Sequence, residues 1–509
     1  MRSIPVARRR LRIGVLELLS GEVPSGFESR VYHLLIRRQF YSVMPQAAAA
    51  WCRRLGHTVF YATYYGQAAP ERLLPKDLDI VFLSAFTEAA GLAYALAKIY
   101  RARKTRTVIG GPHAHAFPRD ALRFFDIAVV DCTEEVVRDI VAGHYPPGSS
   151  ITGQRGAFRI PLLEERRRDI DKARLIHRRL PKLSLVPLLS STGCPYACNF
   201  CSDWNNPFAP RNPDDLWADL EFAAEAFPGQ LLAFYDPNFG VNFDRTIGLL
   251  EGVPKARRNP FVVESSLSIL KPHRLRPLRE ANCVFVAPGI ESWQDYGNKS
   301  ATGQSRSRDK YVRIAEHFRL LSGVFPGLQA NFIFGHDSDK GREPIELTID
   351  FIRQFPNVFP KIAIPTAFGG TPLRNELKAQ GRLLPLPLVF YFNPLPTLLV
   401  KNYPMAEFFT GLIEMFSAVK ARSRLLKLAL SSMSLPMRVA YLLGALDVAG
   451  HIRNLRRFKD RLASDPEMAR FNSGQSVAIP EYYHHLLRRR LQGYAELLSR
   501  RDCEEIAGD

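Results

Sequence analysis

The chain has 509 residues, 46% of them hydrophobic, which is enough for more than one domain with a sizeable core. Its net charge of +19 favours an acidic partner such as a phosphorylated substrate, an acidic redox protein or anionic lipid, or reflects only a basic solvated surface. No nucleic-acid-binding motif of known spacing occurs, and no uncharged apolar run of about 20 residues could span a bilayer. The amino terminus lacks a signal-peptide cleavage pattern, so we expect a cytoplasmic protein that does not bind nucleic acid.

Apolar strands and helical patterns alternate through residues 1–150. Strands are predicted at 12–18, 58–63, 79–83, 107–109 and 127–130, and helices at 44–55, 84–101 and 134–142. This alternation predicts a doubly wound, Rossmann-like parallel sheet with a ligand crevice at the carboxyl ends of its strands. The residues that follow those ends are Ser84, Thr87, Gly110, Gly111, His113, Thr133 and Glu134. A sheet without a ligand, with His113 in a surface loop, is the alternative.

An arginine-rich stretch at 151–182 has little apolar period, which predicts an interdomain linker that wraps the surface. An apolar strand at 183–189 then leads into a loop that begins with Gly193 and contains Cys194, Cys198 and Cys201. Three cysteines so close together are typical of iron–sulfur or zinc ligands rather than of structural thiols. Zinc favours four ligands, and no further cysteine or histidine lies nearby in the sequence, so a cluster with one open iron is favoured.

Further strands are predicted at 231–235, 261–264, 284–287, 328–334 and 361–364, with helices between them. With the strand before the cysteines they form a partial, TIM-like (β/α)6 barrel over residues 183–395. Polar residues and glycines stand at the carboxyl ends of these strands, where barrel enzymes place their active sites. They are Asp236, Asn238, Glu291, Ser292, Asn331, Gly335 and Thr366.

The C-x3-C-x2-C spacing at a strand end, with Phe200 before the third cysteine, is similar to the signature of radical S-adenosylmethionine (SAM) enzymes. The resemblance implies that Cys194, Cys198 and Cys201 hold a 4Fe-4S cluster whose open iron binds SAM. Reductive cleavage of SAM would then give a 5′-deoxyadenosyl radical. The resemblance also implies that the seven strand-end residues from Asp236 to Thr366 contact SAM.

The order of motifs in residues 11–142 resembles the cobalamin-binding domain that precedes the barrel in many radical SAM enzymes. That resemblance implies cobalamin contacts from Ser84, Thr87, Gly110, Gly111, His113, Thr133 and Glu134. Two features depart from the pattern. No D-x-H-x-x-G follows the first strand, so no lower axial histidine is offered, and Asp131-Cys132-Thr133-Glu134 stands where the family often has Gly-Glu-Gly-Glu.

Together the resemblances imply a cobalamin-dependent radical SAM enzyme that methylates an unactivated carbon of a lipid or specialised metabolite. Two alternatives are a radical SAM enzyme with no net methylation, such as an oxidative cyclase or a rearranging enzyme, and a non-catalytic cobalamin-binding regulator. A methylthiotransferase is disfavoured because that family needs a second cysteine triad in its amino-terminal part, where this chain has only Cys52 and Cys132.

Residues 396–509 have helical spacing at 408–419, 424–430, 439–455 and 482–498, which predicts a helical carboxy-terminal domain. The stretch 425–450 is apolar enough for a peripheral membrane contact, with core packing as the alternative. Pro436, Arg438 and Asp447 argue against a membrane span.

We expect an acidic flavodoxin- or ferredoxin-like electron donor to dock through the net positive charge. Turnover driven by such a donor should fall as salt is raised, because salt screens exposed charges. Turnover driven by a chemical reductant is the control and should not change. Steady-state rates with each reductant over a salt series measure this, and equal salt dependence with both would contradict it.

Overall fold

The computed structural model describes residues 9–23, 41–153, 159–173, 185–294, 299, 302, 305–392, 395–431, 433 and 435–503. Its first sheet has six parallel strands in the order β2-β1-β3-β4-β5-β6. They are β1 (Arg12–Leu18), β2 (Thr58–Tyr64), β3 (Ile80–Ala85), β4 (Arg106–Gly110), β5 (Ile127–Asp131) and β6 (Ser149–Thr152). The central strand β3 is almost continuously apolar and buried, as expected where both faces of a parallel sheet are covered.

Within the described residues, five α-helices accompany this sheet: α1 (Val43–Arg54), α2 (Ala90–Ala102), α3 (Pro112–Ala116), α4 (Pro118–Leu122) and α5 (Glu134–Val141). Short 3-10 helices span Pro70–Arg72 and Thr87–Ala89. The helix predicted at 84–101 therefore begins at Ala90, after the second of these turns. The sixth strand was not predicted, and it runs two residues past the predicted boundary at residue 150.

The second sheet is also parallel, and a two-stranded antiparallel pair lies beside it. Its strands are β7 (Leu185–Leu188), β10 (Leu231–Phe234), β11 (Phe261–Glu264), β12 (Cys283–Ala287), β13 (Gly289–Glu291), β14 (Gly327–Ile333) and β15 (Val358–Ala363), and the pair is β8 (Ser191–Thr192) and β9 (Ala209–Pro210). Both β12 and β13 pair with β14, on either side of Pro288, which has no N–H to donate. Every strand predicted in this part of the sequence is present.

Helices surround the second sheet and continue to the end of the described chain. They are α6 (Leu163–Ala173), α7 (Pro213–Ala226), α8 (Phe243–Gly252), α9 (Pro272–Glu280), α10 (Ser307–Val324), α11 (Glu343–Gln354), α12 (Pro372–Ala379), α13 (Met405–Val419), α14 (Arg422–Ala429), α15 (Leu435–Ser464), α16 (Pro466–Asn472) and α17 (Glu481–Leu491), with 3-10 turns at Leu388–Phe390, Gln492–Leu497 and Arg500–Cys503. None of the helices in the described ranges is both long enough and apolar enough to cross a bilayer.

Helix α6 lies in the stretch predicted to wrap the surface, and it has one exposed face and one buried face. Its Arg166 is fully buried. The guanidinium donates from Nη1 to Gln46 Oε1 of α1 at 3.1 Å and to Pro187 O of β7 at 3.2 Å. Its Nη2 lies 3.6 Å from the Asp219 carboxylate of α7, which also pairs with Arg211 at 2.6 Å. One buried cation therefore fastens the first sheet's helix layer to the second sheet.

Arg166→Met should destabilise the protein, because the side chain keeps its length but leaves buried acceptors without a donor. Breaking one side of a buried ion network typically costs about 3–5 kcal/mol. The control is Arg167→Met on the same helix, where the side chain is half exposed. Thermal unfolding measures the difference, and equal melting temperatures for the two variants would contradict the role of Arg166.

Candidate functional site

The cysteine loop is closed at its base by backbone contacts. Gly193 has φ +67°, and a Cβ there would stand 2.1 Å from the carbonyl oxygen of Pro207, so only glycine fits. Just beyond it, Cys194 N donates to Asn206 O at 3.0 Å, and the β8–β9 ladder joins the two stems. These contacts hold the three cysteines on a defined loop at the carboxyl end of β7.

Asp236, which follows β10, anchors the entry to this loop. Its buried carboxylate accepts hydrogen bonds from Ser190 N at 2.9 Å, Ser190 Oγ at 2.5 Å and Ser191 Oγ at 2.6 Å. Burial raises the pKa of Asp236, and the bonds from the two serines oppose that shift. The carboxylate therefore positions the cysteine loop in this structure.

The three thiols are partly buried and close enough to interact electrostatically. Burial raises the pKa of Cys198 and of Cys201, and the neighbouring thiols add to the increase for both. No group of three or more His, Cys, Asp or Glu side chains within the described ranges is arranged to hold a single metal ion.

Polar side chains connect the cysteine loop to the ends of β10 and β11. Tyr196 Oη lies 2.6 Å from Ser268 Oγ, which lies 2.9 Å from Ser266 Oγ. Ser266 N donates to Asn238 Oδ1 at 2.8 Å. The buried Asn238 Nδ2 has no hydrogen-bond partner in the described part of the chain. An orphaned donor at this position suits a ligand that brings an acceptor such as a carboxylate.

Glu291 adopts an uncommon conformation at the end of β13. Its φ is +62°, and a Cβ on Gly289 would stand 2.3 Å from Glu291 Oε1, so the side chain folds back over that glycine. Burial raises the pKa of Glu291, while Lys299 and Lys310 oppose the increase. Burial alone would lower the pKa of Lys299, but Glu291 and the three thiols outweigh burial and raise it. A lysine ammonium thus lies close to both Glu291 and the cysteine loop.

The other predicted SAM residues are engaged within the protein. Ser292 Oγ donates to the Asp339 carboxylate, which also accepts from Gly335 N at 2.9 Å. Asn331 accepts from Gln329 Nε2 at 2.7 Å. Thr366 Oγ1 donates to Ile364 O at 3.4 Å. Gly335 packs against the Phe408 ring so closely that a Cβ added to it would stand 2.5 Å from that ring.

The carboxyl edge of the first sheet brings together the residues predicted to contact cobalamin. Ser84 and Gly110 are direct neighbours in the β3–β4 register, and Thr87 starts the turn after β3. Gly111 has φ +87°, and a Cβ there would stand 2.7 Å from Ser84 Oγ. Gly111 therefore packs closely against Ser84, whereas a Cβ on Gly110 would meet no atom nearer than the Val129 carbonyl oxygen at 4.0 Å, so the open backbone is at Gly110.

His113 is fully buried, so the alternative that it lies in a surface loop is wrong. The Tyr94 hydroxyl donates to the Asp120 carboxylate and lies 2.6 Å from His113 Nε2. Since that hydroxyl has one proton, His113 Nε2–H is the donor between the two side chains. Burial lowers the pKa of His113 to about 3, which keeps the ring neutral. Its Nδ1 lone pair has no partner among the described residues.

Thr133 and Glu134 have structural partners at the start of α5. Thr133 Oγ1 caps the helix by accepting from Val136 N at 3.3 Å. Glu134 pairs with Arg54 of α1 at 2.8 Å.

The loop after β15 connects the two sheets. A Cβ on Gly369 would stand 2.7 Å from Ala116 O of α3. On the other side of the loop, Trp204 Nε1 donates to Gly370 O at 2.6 Å, and Leu373 N donates to Asn199 O at 3.0 Å. These contacts place the loop between the first sheet and the residues around the third cysteine.

A polar cavity of about 180 Å³ lies at this junction. The first sheet contributes His115 and Asp131, the second contributes Gly370, and the cysteine loop contributes residues 202–206. The carboxyl ends of both sheets therefore open onto one cavity, directly after Cys201.

Glu17 is a buried carboxyl at the end of β1. It accepts from Ser42 N at 2.8 Å and Tyr61 Oη at 3.1 Å. Burial raises the pKa of Glu17 from 4.5 to about 7, against the effect of these bonds. Tyr235 precedes Asp236 in the sequence. Burial raises the pKa of Tyr235, and the charge of Glu17 adds to that increase.

Comparison with known proteins gives curated relatives and solved structures, while no family model matches the chain. Bacteriochlorophyllide d C-8(2)-methyltransferase of Chlorobaculum tepidum is 27% identical over 332 residues, 60% of this chain and 69% of the relative. Hopanoid C-2 methylase of Rhodopseudomonas palustris is 28% identical over 213 residues, 40% of each chain.

Two solved structures share the fold. OxsB, a cobalamin-dependent SAM radical enzyme with aqua-cobalamin bound, matches with a TM-score of 0.54 at 12% identity, over 95% of this chain and 84% of OxsB. TsrM from Kitasatospora setae, with tryptophan and a SAM analogue bound, matches with a TM-score of 0.50 at 13% identity, over 77% of this chain and 80% of TsrM.

In sequence the chain is similar to named methyltransferases, and in fold it is similar to solved cobalamin-dependent SAM radical enzymes. The predicted resemblance and the predicted enzyme class are thereby confirmed.

Sequence reasoning missed Lys299, Asp339 and Glu17. Lys299 and Asp339 lie outside the strand-end motifs, and no local pattern marks either as a neighbour of the site. Glu17 could have been noticed, because a lone carboxylate in an otherwise apolar buried strand needs partners or a shifted pKa.

Glu17→Gln should stabilise the enzyme more at pH 8 than at pH 5. The folded state holds the Glu17 proton up to about pH 7, whereas the unfolded chain releases it near 4.5, so the wild type loses stability as pH rises through this window. The neutral amide removes that loss, on the order of 2–3 kcal/mol. Melting temperatures over the pH range measure it, with exposed Glu225→Gln as control. A pH-independent difference would contradict the assignment.

Proposed function

We propose that this enzyme cleaves SAM reductively at a 4Fe-4S cluster held by Cys194, Cys198 and Cys201, and methylates an unactivated carbon with the help of cobalamin. The observation that carries the proposal is the cavity after Cys201, which both the cysteine loop and the carboxyl edge of the first sheet line. A substrate there would lie beside the segment that directly follows Cys201 and beside Asp131 at the end of β5.

The proposed domain layout assigns one task to each part of the fold. Residues 1–150 are the Rossmann-like cobalamin-binding domain, and residues 151–182 are the linker that contains α6. Residues 183–395 are the partial (β/α)6 barrel, and residues 396–509 are the helical carboxy-terminal domain. The two parallel sheets and the helices after residue 404 support this division.

In the proposed SAM site, the residues act by positioning and by charge. Asp236 holds the entry to the cysteine loop, and the orphaned Asn238 Nδ2 would donate to the SAM carboxylate. Lys299 would add positive charge near that carboxylate, and Glu291 would accept from the amino group or the ribose. Ser292, Asn331, Gly335 and Thr366 would complete the walls of the site. When bound, the cluster and cobalamin supply the electron for SAM cleavage and the methyl group for transfer.

In the proposed cobalamin site, Gly110 leaves room for the cofactor's nucleotide tail beside Ser84 and Thr87, and Gly111 allows the backbone to pack against Ser84. His113 Nε2–H donates to the Tyr94 hydroxyl, which in turn donates to Asp120. The unprotonated Nδ1 of His113 would therefore be available to accept a hydrogen bond. Thr133 and Glu134 would contribute mainly through the helix cap and the ion pair that fix α5.

The proposed substrate is a lipid or specialised metabolite, and the proposed electron donor is an acidic flavodoxin or ferredoxin. The names of two curated relatives include a bacteriochlorophyllide and a hopanoid, and this supports the proposed substrate class. The net charge of +19 supports the acidic donor.

Anaerobically reconstituted enzyme with cobalamin, SAM, reductant and a lipid extract should form 5′-deoxyadenosine. It should also transfer the label of methyl-labelled SAM to a product one methyl group heavier. Cys198→Ala should lose iron and all SAM cleavage, whereas Cys283→Ala, which removes a buried thiol of β12, should keep both. Iron analysis and mass spectrometry measure these outcomes.

Hydrogen loss without methyl gain would replace methylation by the alternative of oxidative cyclisation or rearrangement. Absence of 5′-deoxyadenosine from the wild type would favour a non-catalytic cobalamin-binding regulator. Retained SAM cleavage in Cys198→Ala would refute the cluster site.

A further inference from the structure

Helix α14 and its C-cap residue Leu430, whose N–H donates to Leu426 O at 3.0 Å, present two leucines to solvent on one side. Leu426 is 62% exposed and Leu430 is 78% exposed, and their spacing of four residues places them one above the other on the helix surface. Leu428 between them is fully buried against the protein. Scattered exposed apolar residues are ordinary, but a paired apolar ridge on a short helix points to something that covers it.

Contacts at both ends hold this helix in place. The buried Arg424 donates from Nη1 to Val419 O at 3.1 Å and from Nη2 to Val358 O at 2.9 Å. At the other end, Arg438 Nη1 donates to Ala429 O at 2.8 Å. The leucines are therefore displayed on an anchored helix rather than on a frayed end.

Along the sequence, the charged residues on either side of the ridge have one sign. No acidic residue occurs from Met415 to Leu446. Lys420, Arg422 and Lys427 are exposed, and none of them forms an ion pair within the described ranges. Unpaired cations beside exposed leucines complement a surface that is both anionic and able to accept apolar side chains, which is the combination offered by an anionic bilayer.

The size of the ridge also favours a membrane over a protein partner. A helix of this length spans about 12 Å. Stable protein interfaces bury roughly 1,200–2,000 Å² in total, far more than two leucines and three cations provide. A bilayer, by contrast, admits single side chains at its interface without a matching surface.

We infer that α14 docks the enzyme peripherally on an anionic membrane, with Leu426 and Leu430 inserted and Lys420, Arg422 and Lys427 among the head groups. Arg424 reaches Val358, the first residue of β15, so α14 lies at the amino edge of the second sheet. The cysteine loop lies at the opposite, carboxyl edge. Docking therefore leaves the cavity after Cys201 directed away from the bilayer, accessible to a soluble electron donor.

Co-sedimentation of the full chain with vesicles tests this inference without cofactors or substrate. The protein should bind vesicles of phosphatidylcholine and phosphatidylglycerol, bind pure phosphatidylcholine far less, and be released by high salt. Leu426→Glu/Leu430→Glu should lower the bound fraction about tenfold, because it removes apolar insertion and adds repulsion. Arg422→Glu/Lys427→Glu should lower binding to the anionic vesicles through charge alone.

The matched control is Leu320→Glu/Val477→Glu, which places two charges at exposed apolar positions outside α14 and should bind like the wild type. Melting temperatures verify that every variant is folded. Equal binding to neutral and anionic vesicles, no binding at all, or an equal loss in the control would overturn the inference. A wild-type dimer that Leu426→Glu/Leu430→Glu converts to monomer in light scattering would also overturn it, because a second copy would then cover the ridge.

Discussion

The buried guanidinium of Arg166 is the contact on which the relation between the two sheets depends. It binds an amide of α1, a carbonyl of β7 and a carboxylate of α7, so three separate layers share one cation. A buried charge requires partners in defined directions, whereas apolar packing tolerates small shifts. The Arg166 contacts therefore fix the orientation of the two sheets as well as the distance between them. They help to keep the carboxyl edges of both sheets facing one cavity.

The cysteine loop shows the same principle on a smaller scale. Asp236 orders the loop from below by accepting from two serines, and Gly193 allows the backbone to turn where no other residue fits. The cysteines themselves are only partly buried, so the framework does not depend on packing their side chains into the core. Protein contacts hold the loop, which reduces the entropy cost of binding a cofactor there.

Much of the fold could be predicted from the sequence, because apolar period and glycine position act locally. Most strands of both sheets follow from such patterns, as do the three cysteines, whereas β6 and β13 were not predicted. The burial of α6 could not be predicted, because its many charges indicate a surface helix until Arg166 meets Asp219, a partner distant in the sequence. The role of Lys299 could not be predicted for the same reason, because only the folded chain brings it near the three thiols. The nitrogens of Asn238 and His113 that lack partners among the described residues could not be predicted either, because hydrogen-bond partners depend on the folded chain.

The close approach of Gly369 to Ala116 has a consequence for how such enzymes can be recombined. The loop after β15 belongs to the second sheet by sequence, yet its shape is complementary to α3 of the first, with no space for a single added carbon. A chimera that takes its amino-terminal domain from a relative would join mismatched surfaces at this loop. Residues 366–373 should therefore be inherited together with the first domain, so the boundaries of exchange follow the contact surface rather than the linear order of the chain.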